Sequence, residues 1–356
     1  LMEQKLLKAN GDYAELFADR YIDDRGYLLH TIRWGTLDGP DDAIESFYNW
    51  TLAHALGGPD SILKLFKKAL DGHYAQYGEL RTVDTKLAKN GASLVVNDID
   101  SDEAQSVVAE IAKNGGKAIL NTSDIGSREG AAALISECVE EFGAIHILVN
   151  NAGNVRDRSF LKMTDDEFGG VLNVHVFGTF MCSQEAALRM KDQGTGGSIV
   201  NTVSAAHFGN FGQTNYAGSK GAIASMTYTW AVELSRYGIR VNAISPSGTT
   251  RMSATAKIGG KVVELPFIDP DRNGAFVAFL CSEDADYVTG QVFGTGGERV
   301  TILNHPRYGT SMLMPGGWDV EDLKQHFKGH LGKQLEPVGL MKNPYPFYDG
   351  VKPPEK

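Results

Sequence analysis

Ser198-Ile-Val-Asn-Thr-Val-Ser-Ala-Ala-His-Phe-Gly-Asn-Phe-Gly-Gln-Thr-Asn-Tyr-Ala-Gly-Ser-Lys220, followed by Val241-Asn-Ala-Ile-Ser-Pro246, sets the architecture. Ser198–Val203 is a short apolar run of the kind buried in a parallel sheet. A glycine-rich loop follows it, and the spacing predicts a long helix over Tyr216–Tyr237. Arg240–Ile244 is a second apolar run. Strand, helix, strand in this order is a parallel crossover unit.

The same alternation extends outward over residues 85–302. Upstream, strands are predicted at Ala92–Asn97, Lys117–Asn121 and Ile145–Asn150, with helices at Ser101–Asn114 and Arg128–Phe142 and a kinked one near Asp165–Gln193. This pattern is that of an α/β, doubly wound parallel sheet. Residues 1–84 differ in character, being rich in aromatic and acidic residues. They suggest helices at Met2–Lys8, Asp41–Leu56 and Asp60–Tyr77, with Asp60 as an N-cap, and a strand at Tyr27–Trp34. Residues 303–356 form a Pro- and Gly-rich extension with one helix expected at Val320–Leu331 and an extended end around Pro344, Pro346, Pro353 and Pro354.

Composition narrows the function classes. The net charge of −10 disfavours nucleic acid or an anionic membrane as partner, because phosphates would repel it. No apolar run is long enough for a membrane span, and no signal-peptide pattern opens the chain. Cys138, Cys182 and Cys281 show no paired metal spacing and read as reduced thiols, so a cytoplasmic protein without a metal site is expected.

Tyr216 and Lys220 are four residues apart, so on a helix they share one face. An ammonium beside a phenol favours the phenolate and would draw the Tyr pKa down from about 10, which suits proton transfer with a carbinol. Alone, such a pair is more often incidental. Here it is preceded by Asn150-Asn151-Ala152-Gly153 and Ser204, and followed by the strand ending at Pro246 and by Val288-Thr-Gly-Gln with Gly296-Gly297. Over about 60% of its length the chain thereby resembles the short-chain dehydrogenase/reductase family. The resemblance implies a Rossmann-like domain in which Tyr216 is the acid/base, Lys220 lowers its pKa and holds a nicotinamide ribose, and Ser204 orients the substrate oxygen. It also implies that Asn151, Ala152 and Gly153 line the cofactor cleft, that Asp124 contacts adenine and that Thr250 lies near the carboxamide. Asp98 ends the second strand of the usual fold. A carboxylate there accepts ribose hydroxyls and repels a 2′-phosphate, and no Arg or Lys follows it, which favours NAD over NADP. Alternatively, Asn97-Asp98 is only a helix-capping turn.

Three departures from the family stand out. Ser204 and Tyr216 are 12 positions apart, one fewer than usual. His175, three residues before Gly178, occupies the place of the family's catalytic Asn. The branch similar to the dehydrogenase part of peroxisomal multifunctional enzymes also has His there, and His175 either relays protons to Lys220 or is a packing histidine. Most seriously, the first strand and its TGxxxGxG turn, which bring backbone N–H groups to a pyrophosphate, are missing. Lys86–Gly91 reads as the end of the first helix, and the junction near Val83–Thr85 looks like a splice. The missing strand is central, so two buried edges would carry unpaired backbone groups at about 1–3 kcal/mol each. Either something fills the gap, the sheet closes up, or the chain folds poorly. Tyr27–Trp34 with Gly35–Gly39 is an internal candidate, although Asp38, Asp41 and Asp42 would repel a pyrophosphate.

The function expected is a NAD(P)-dependent oxidoreductase interconverting a secondary alcohol and a ketone. A homodimer or homotetramer is expected through the long helices, with a small-molecule substrate as the other partner. The rival is a fusion or truncated protein that keeps the fold but binds no dinucleotide.

Overall fold

The computed structural model describes residues 9, 12–19, 50–56, 58–78, 83–248, 257–258, 261–262, 268 and 271–340. The expectations for Met2–Lys8, Tyr27–Trp34, Thr250 and the Pro-rich end fall outside these residues, as does most of Asp41–Leu56.

The alternating region folds as the sequence pattern requires. Helix α1 (Val83–Lys89) leads into strand β1 (Ser93–Asn97). Helix α2 (Ser101–Lys113) begins at Asp100, whose carboxylate accepts the N–H groups of Asp102 and Glu103, and leads to β2 (Lys117–Asn121). Helix α3 (Arg128–Phe142) is capped by Ser127 and stopped by Gly143 at φ 82°, a left-handed conformation that glycine adopts without a Cβ clash. Strand β3 (Ile147–Asn150) follows. The kinked helix is α4 (Asp165–Leu172), a π-helical turn over Asn173–Gly178, and α5 (Thr179–Gln193). A capping box between Thr164 and Glu167 opens it. Strand β4 (Gly197–Thr202), helix α6 (Thr214–Leu234) and strand β5 (Ile239–Pro246) are the crossover unit quoted above. Helix α7 (Asp271–Cys281), β6 (Val292–Gly296) and β7 (Arg299–Leu303) complete the layer.

The fold is therefore α/β with a parallel sheet, but that sheet is in two pieces. Strands β3, β4, β5 and β6 pair in parallel, and β7 adds antiparallel at the edge. Strands β1 and β2 pair only with each other, in parallel register Ser93 to Lys117 through Asn97 to Asn121. Among the described residues no strand joins β1 to β3. The break falls where the missing first strand would lie. Side chains span it instead: Val83 of α1 and Val149 of β3 pack against the cluster of Leu87, Leu94, Val96 and Ile111 and also against that of Val200, Ile244, Val277 and Leu280. Among the described residues the two pieces meet through side-chain packing and not through backbone pairing, and the internal candidate Tyr27–Trp34 lies outside those residues.

The main core lies between α3, α5 and β4, around Ile135, Met190, Ile199 and Val241. The N-terminal segment has a cluster of its own, in which Phe17, Trp50, Ile62 and Ala69 are buried. Its helices include Trp50–Ala55 and Asp60–Gly78, the latter beginning at Asp60 itself rather than after it. In the C-terminal extension, α8 (Val320–His326) is shorter than expected. Gly332 N–H donates to the Phe327 carbonyl at 2.8 Å, turning the chain out of the helix. No helix among the described residues is long and apolar enough to cross a membrane.

Candidate active site

Four of the side chains singled out in the sequence converge at the carboxyl ends of β4 and β5. Tyr216 and Lys220 lie in the first two turns of α6. Lys220 is 3% exposed, and its Nζ donates to the Thr202 carbonyl at 2.7 Å while lying 5.5 Å from the centre of the Tyr216 ring. Ser204 follows β4, with its hydroxyl near enough to the Tyr216 phenol to lower that phenol's pKa. The His175 ring stands edge-on to Tyr216, 5.3 Å away at 89°. The shortened Ser204–Tyr216 loop therefore still brings both hydroxyls together.

The electrostatics correct one expectation. The Tyr216 phenol is raised above its ordinary pKa, not lowered, because burial outweighs the lowering by Ser204, and Asp157 adds to the rise. Lys220 does not offset this, since its own burial drives its pKa down to about 7. An ammonium that is itself near half-ionised is a weak source of positive field.

His175 sits in the π-helical turn with 1% exposure. Its Nε2 lies 3.0 Å from the N of Asn154 and 2.8 Å from its O, so one ring edge is engaged with that peptide. Nδ1 is buried without a hydrogen-bond partner. Burial, then the charge of Lys220, holds its pKa at about 4, so the ring is neutral at ordinary pH.

Asn151, Ala152 and Gly153, expected from the resemblance to line a cofactor cleft, are exposed, with Thr202 Oγ1 donating to Asn151 Oδ1 at 3.4 Å. Asp98 and Asp124 follow the ends of β1 and β2, and both are exposed. Asp98 Oδ1 accepts the N–H of Asp100 at 3.0 Å, so the capping-turn geometry exists there, and Asp124 Oδ1 accepts that of Gly126 at 2.8 Å. Thr250 is outside the described residues.

Some supporting residues carried too little signal to be found in sequence. Asn215 is fully buried, and its Nδ2 donates to the carbonyls of Arg156 and Glu167 while its Oδ1 accepts the Tyr216 N–H at 2.8 Å. It fixes the start of α6 and so the position of Tyr216. Its place immediately before the Tyr was the only available clue. The His207 ring is hydrogen-bonded to the Ser204 carbonyl. Among the described residues no group of three or more His, Cys, Asp or Glu side chains could hold a metal ion. Burial raises all three thiols, Cys182 to about 11 and Cys281 to about 12, which leaves them protonated.

The phosphate end of a dinucleotide cleft is built differently. Where a glycine turn would lead into the first helix, α1 begins with Val83 and Asp84, and burial raises the Asp84 carboxyl. Among the described residues, the start of α1 offers no glycine turn to cradle a pyrophosphate.

Comparison with known proteins agrees with this geometry. A family model described as enoyl-(acyl carrier protein) reductase matches residues 81–297, while one for a domain of unknown function matches residues 1–101 and so runs through the junction at 83–85. The 3-oxoacyl-(acyl-carrier-protein) reductase of Thermotoga maritima is 37% identical over 219 residues, covering 59% of this chain and 88% of that one. The peroxisomal hydratase-dehydrogenase-epimerase of Saccharomyces cerevisiae is 40% identical over 216 residues, 59% of this chain and 23% of that protein. The crystal structure of a short chain dehydrogenase from Mycobacterium avium superposes with a TM-score of 0.64 at 35% identity, covering 72% of this chain and 92% of that one. The chain belongs to the short-chain dehydrogenase/reductase family and is an oxidoreductase by that membership, which implies a nicotinamide dinucleotide cofactor.

Proposed function

We propose that the protein interconverts a secondary alcohol and a ketone, with Tyr216 as the acid/base. The observation that carries this is the cluster of Tyr216, Ser204, Lys220 and His175 at the sheet's carboxyl edge beside the exposed Asn151–Gly153 turn. A bound nicotinamide dinucleotide supplies the hydride chemistry. The chain's residues handle the proton and the orientation. Ser204 and Tyr216 form a two-hydroxyl grip for a carbinol or carbonyl oxygen. In alcohol oxidation the Tyr216 oxygen takes the carbinol proton, and in ketone reduction it returns one. Lys220 stands by the phenol, its Nζ held by the Thr202 carbonyl, and would hold the ribose of the cofactor. His175 stays neutral and holds the Asn151–Asn154 turn through Asn154. Its pKa of about 4 against about 7 for Lys220 makes it a poor resting place for a relayed proton, so positioning is the reading we favour.

Asp98, with no Arg or Lys after it, favours NAD over NADP, with Asp124 and Thr250 completing the adenine and carboxamide contacts. The unit acting is residues 85–302, flanked by the 1–84 segment and the 303–356 extension, in a cytoplasmic homodimer or homotetramer. Tyr216→Phe is expected to lower kcat for secondary-alcohol oxidation by about 10²- to 10⁴-fold while circular dichroism stays unchanged. An unchanged rate would remove Tyr216 from this role.

The split sheet favours a second reading, in which the fold persists without binding a dinucleotide. Fluorescence titration with NADH up to millimolar ligand separates the two. A saturable signal supports the oxidoreductase; none supports the structural role.

A further inference from the structure

The C-terminal extension lies beyond the residues matched by the family model, yet it returns to the candidate site. Most of residues 304–340 are exposed. Near its start, the His305 ring packs 4.5 Å from Tyr228, on the same helix α6 that carries Tyr216 and Lys220. At its far end, Leu340 N–H donates to the Gly209 carbonyl at 2.7 Å. Gly209 lies in the loop joining Ser204 to Tyr216. It has φ 102° and faces Gly339 at φ 101°, and a Cβ built on Gly209 would stand 3.6 Å from the Gly339 Cα. The left-handed φ of both residues favours glycine, and the two backbones run in van der Waals contact there.

The other side of that loop is also fastened. Arg158 N–H donates to the Gly212 carbonyl at 2.8 Å, and Gln213 Nε2 donates to Asp157 at 3.0 Å. The loop is therefore held between the 157–162 segment and the extension. Each of the three segments presents large apolar side chains to solvent: Phe160 and Leu161, then Phe211, then Leu335 and Val338, with Leu161 93% exposed. These exposed apolar side chains, on segments tied to the Ser204–Tyr216 loop, are open to contact with an apolar ligand.

We infer that the C-terminal extension, through the Leu340–Gly209 bond, positions the Ser204–Tyr216 loop and forms one wall of the substrate mouth, suited to a carbinol that carries an apolar body. This rests on the oxidoreductase reading above. The extension acts as a positioning element, not a catalytic one.

Leu340→Pro removes the single N–H donor, whereas Leu340→Ala keeps it. Hydrogen exchange of the amides of residues 206–213, read in the full chain, needs no substrate. Exchange there is expected to quicken about tenfold in Leu340→Pro and to stay near wild type in Leu340→Ala. With NAD, the KM for decan-2-ol is expected to rise about five- to tenfold in Leu340→Pro, and that for propan-2-ol to rise less. Equal exchange in Leu340→Pro and wild type, or equal losses on both alcohols, overturns the inference. Wild-type protein that oxidises neither alcohol overturns the oxidoreductase reading and the wall with it, while the exchange comparison still decides whether the extension holds the loop.

Discussion

A lysine buried to 3% exposure beside a phenol has two demands on it that conflict. Its suggested role needs the charge, but burial penalises the charge and brings the pKa down to about 7 from 10.5. The consequence for stability has a definite sign. Between these two values the unfolded chain holds a proton on Lys220 that the folded chain has released. The unfolded state binds more protons there, so stability rises with pH across about 7 to 10.5, with a slope of up to about 1.4 kcal/mol per pH unit from this group. Urea unfolding of wild type at pH 7 and pH 9.5 should show the rise, and Lys220→Met should abolish most of it. A variant that keeps the full slope would mean that Lys220 is not the group responsible. The Tyr216–Lys220 pair itself was legible in sequence, because a spacing of four residues fixes two side chains on one helical face whatever surrounds them. Its electrostatics were not legible. Desolvation depends on what β4 and the Asn151–Asn154 turn place around the pair, and no local pattern encodes that.

The kink in the long α4–α5 helix has a local cause and a local purpose. Six residues, Asn173–Gly178, wind as a π-helix, and this turn carries His175 inward to the Asn151–Asn154 turn. The fit is tight. A Cβ built on Gly153 would overlap His175 Cε1, so Gly153 is small because the imidazole occupies its side-chain space. Gly153→Ala should therefore destabilise the fold by about 1–3 kcal/mol, through displacement of a buried ring. His175→Ala should cost about 2–4 kcal/mol, from the cavity and from leaving the Asn154 peptide unpaired. The two changes are not additive, since each removes the other's clash. The double variant should be more stable than the sum of the single losses by at least about 1 kcal/mol, measured as a cycle of urea midpoints. Strict additivity would show that ring and glycine are not in contact in solution. From sequence, the kink and the place of His175 relative to Gly178 were both visible. Its packing role was not separable from a relay role until Asn154 was seen across from it.

For the whole molecule the decisive feature is the break between β1 and β3. The absence of a first strand and glycine turn could be read from sequence, because an apolar run and its following glycines are either written in the chain or not. How the gap closes could not be read, since Val83 and Val149 are unremarkable residues until they meet in two clusters at once. Among the described residues, side-chain contact across this gap supplies apolar burial but no hydrogen bonding, and Ile147 and Val149 are only half-buried. Parallel strands with one paired edge open more readily than those with two, because fewer bonds must break together. Amides of β1 and β3 should then exchange at least about ten- to a hundredfold faster than those of β4 and β5, which have neighbours on both sides. Native-state hydrogen exchange resolved to single strands tests this directly. Uniform protection across β1, β3, β4 and β5 would mean that a further strand pairs with both edges in solution. The same measurement repeated with NADH extends the test to function, because a dinucleotide that spans the two pieces must slow exchange on both sides of the break, and one held only at the nicotinamide end can protect β4 and β5 alone.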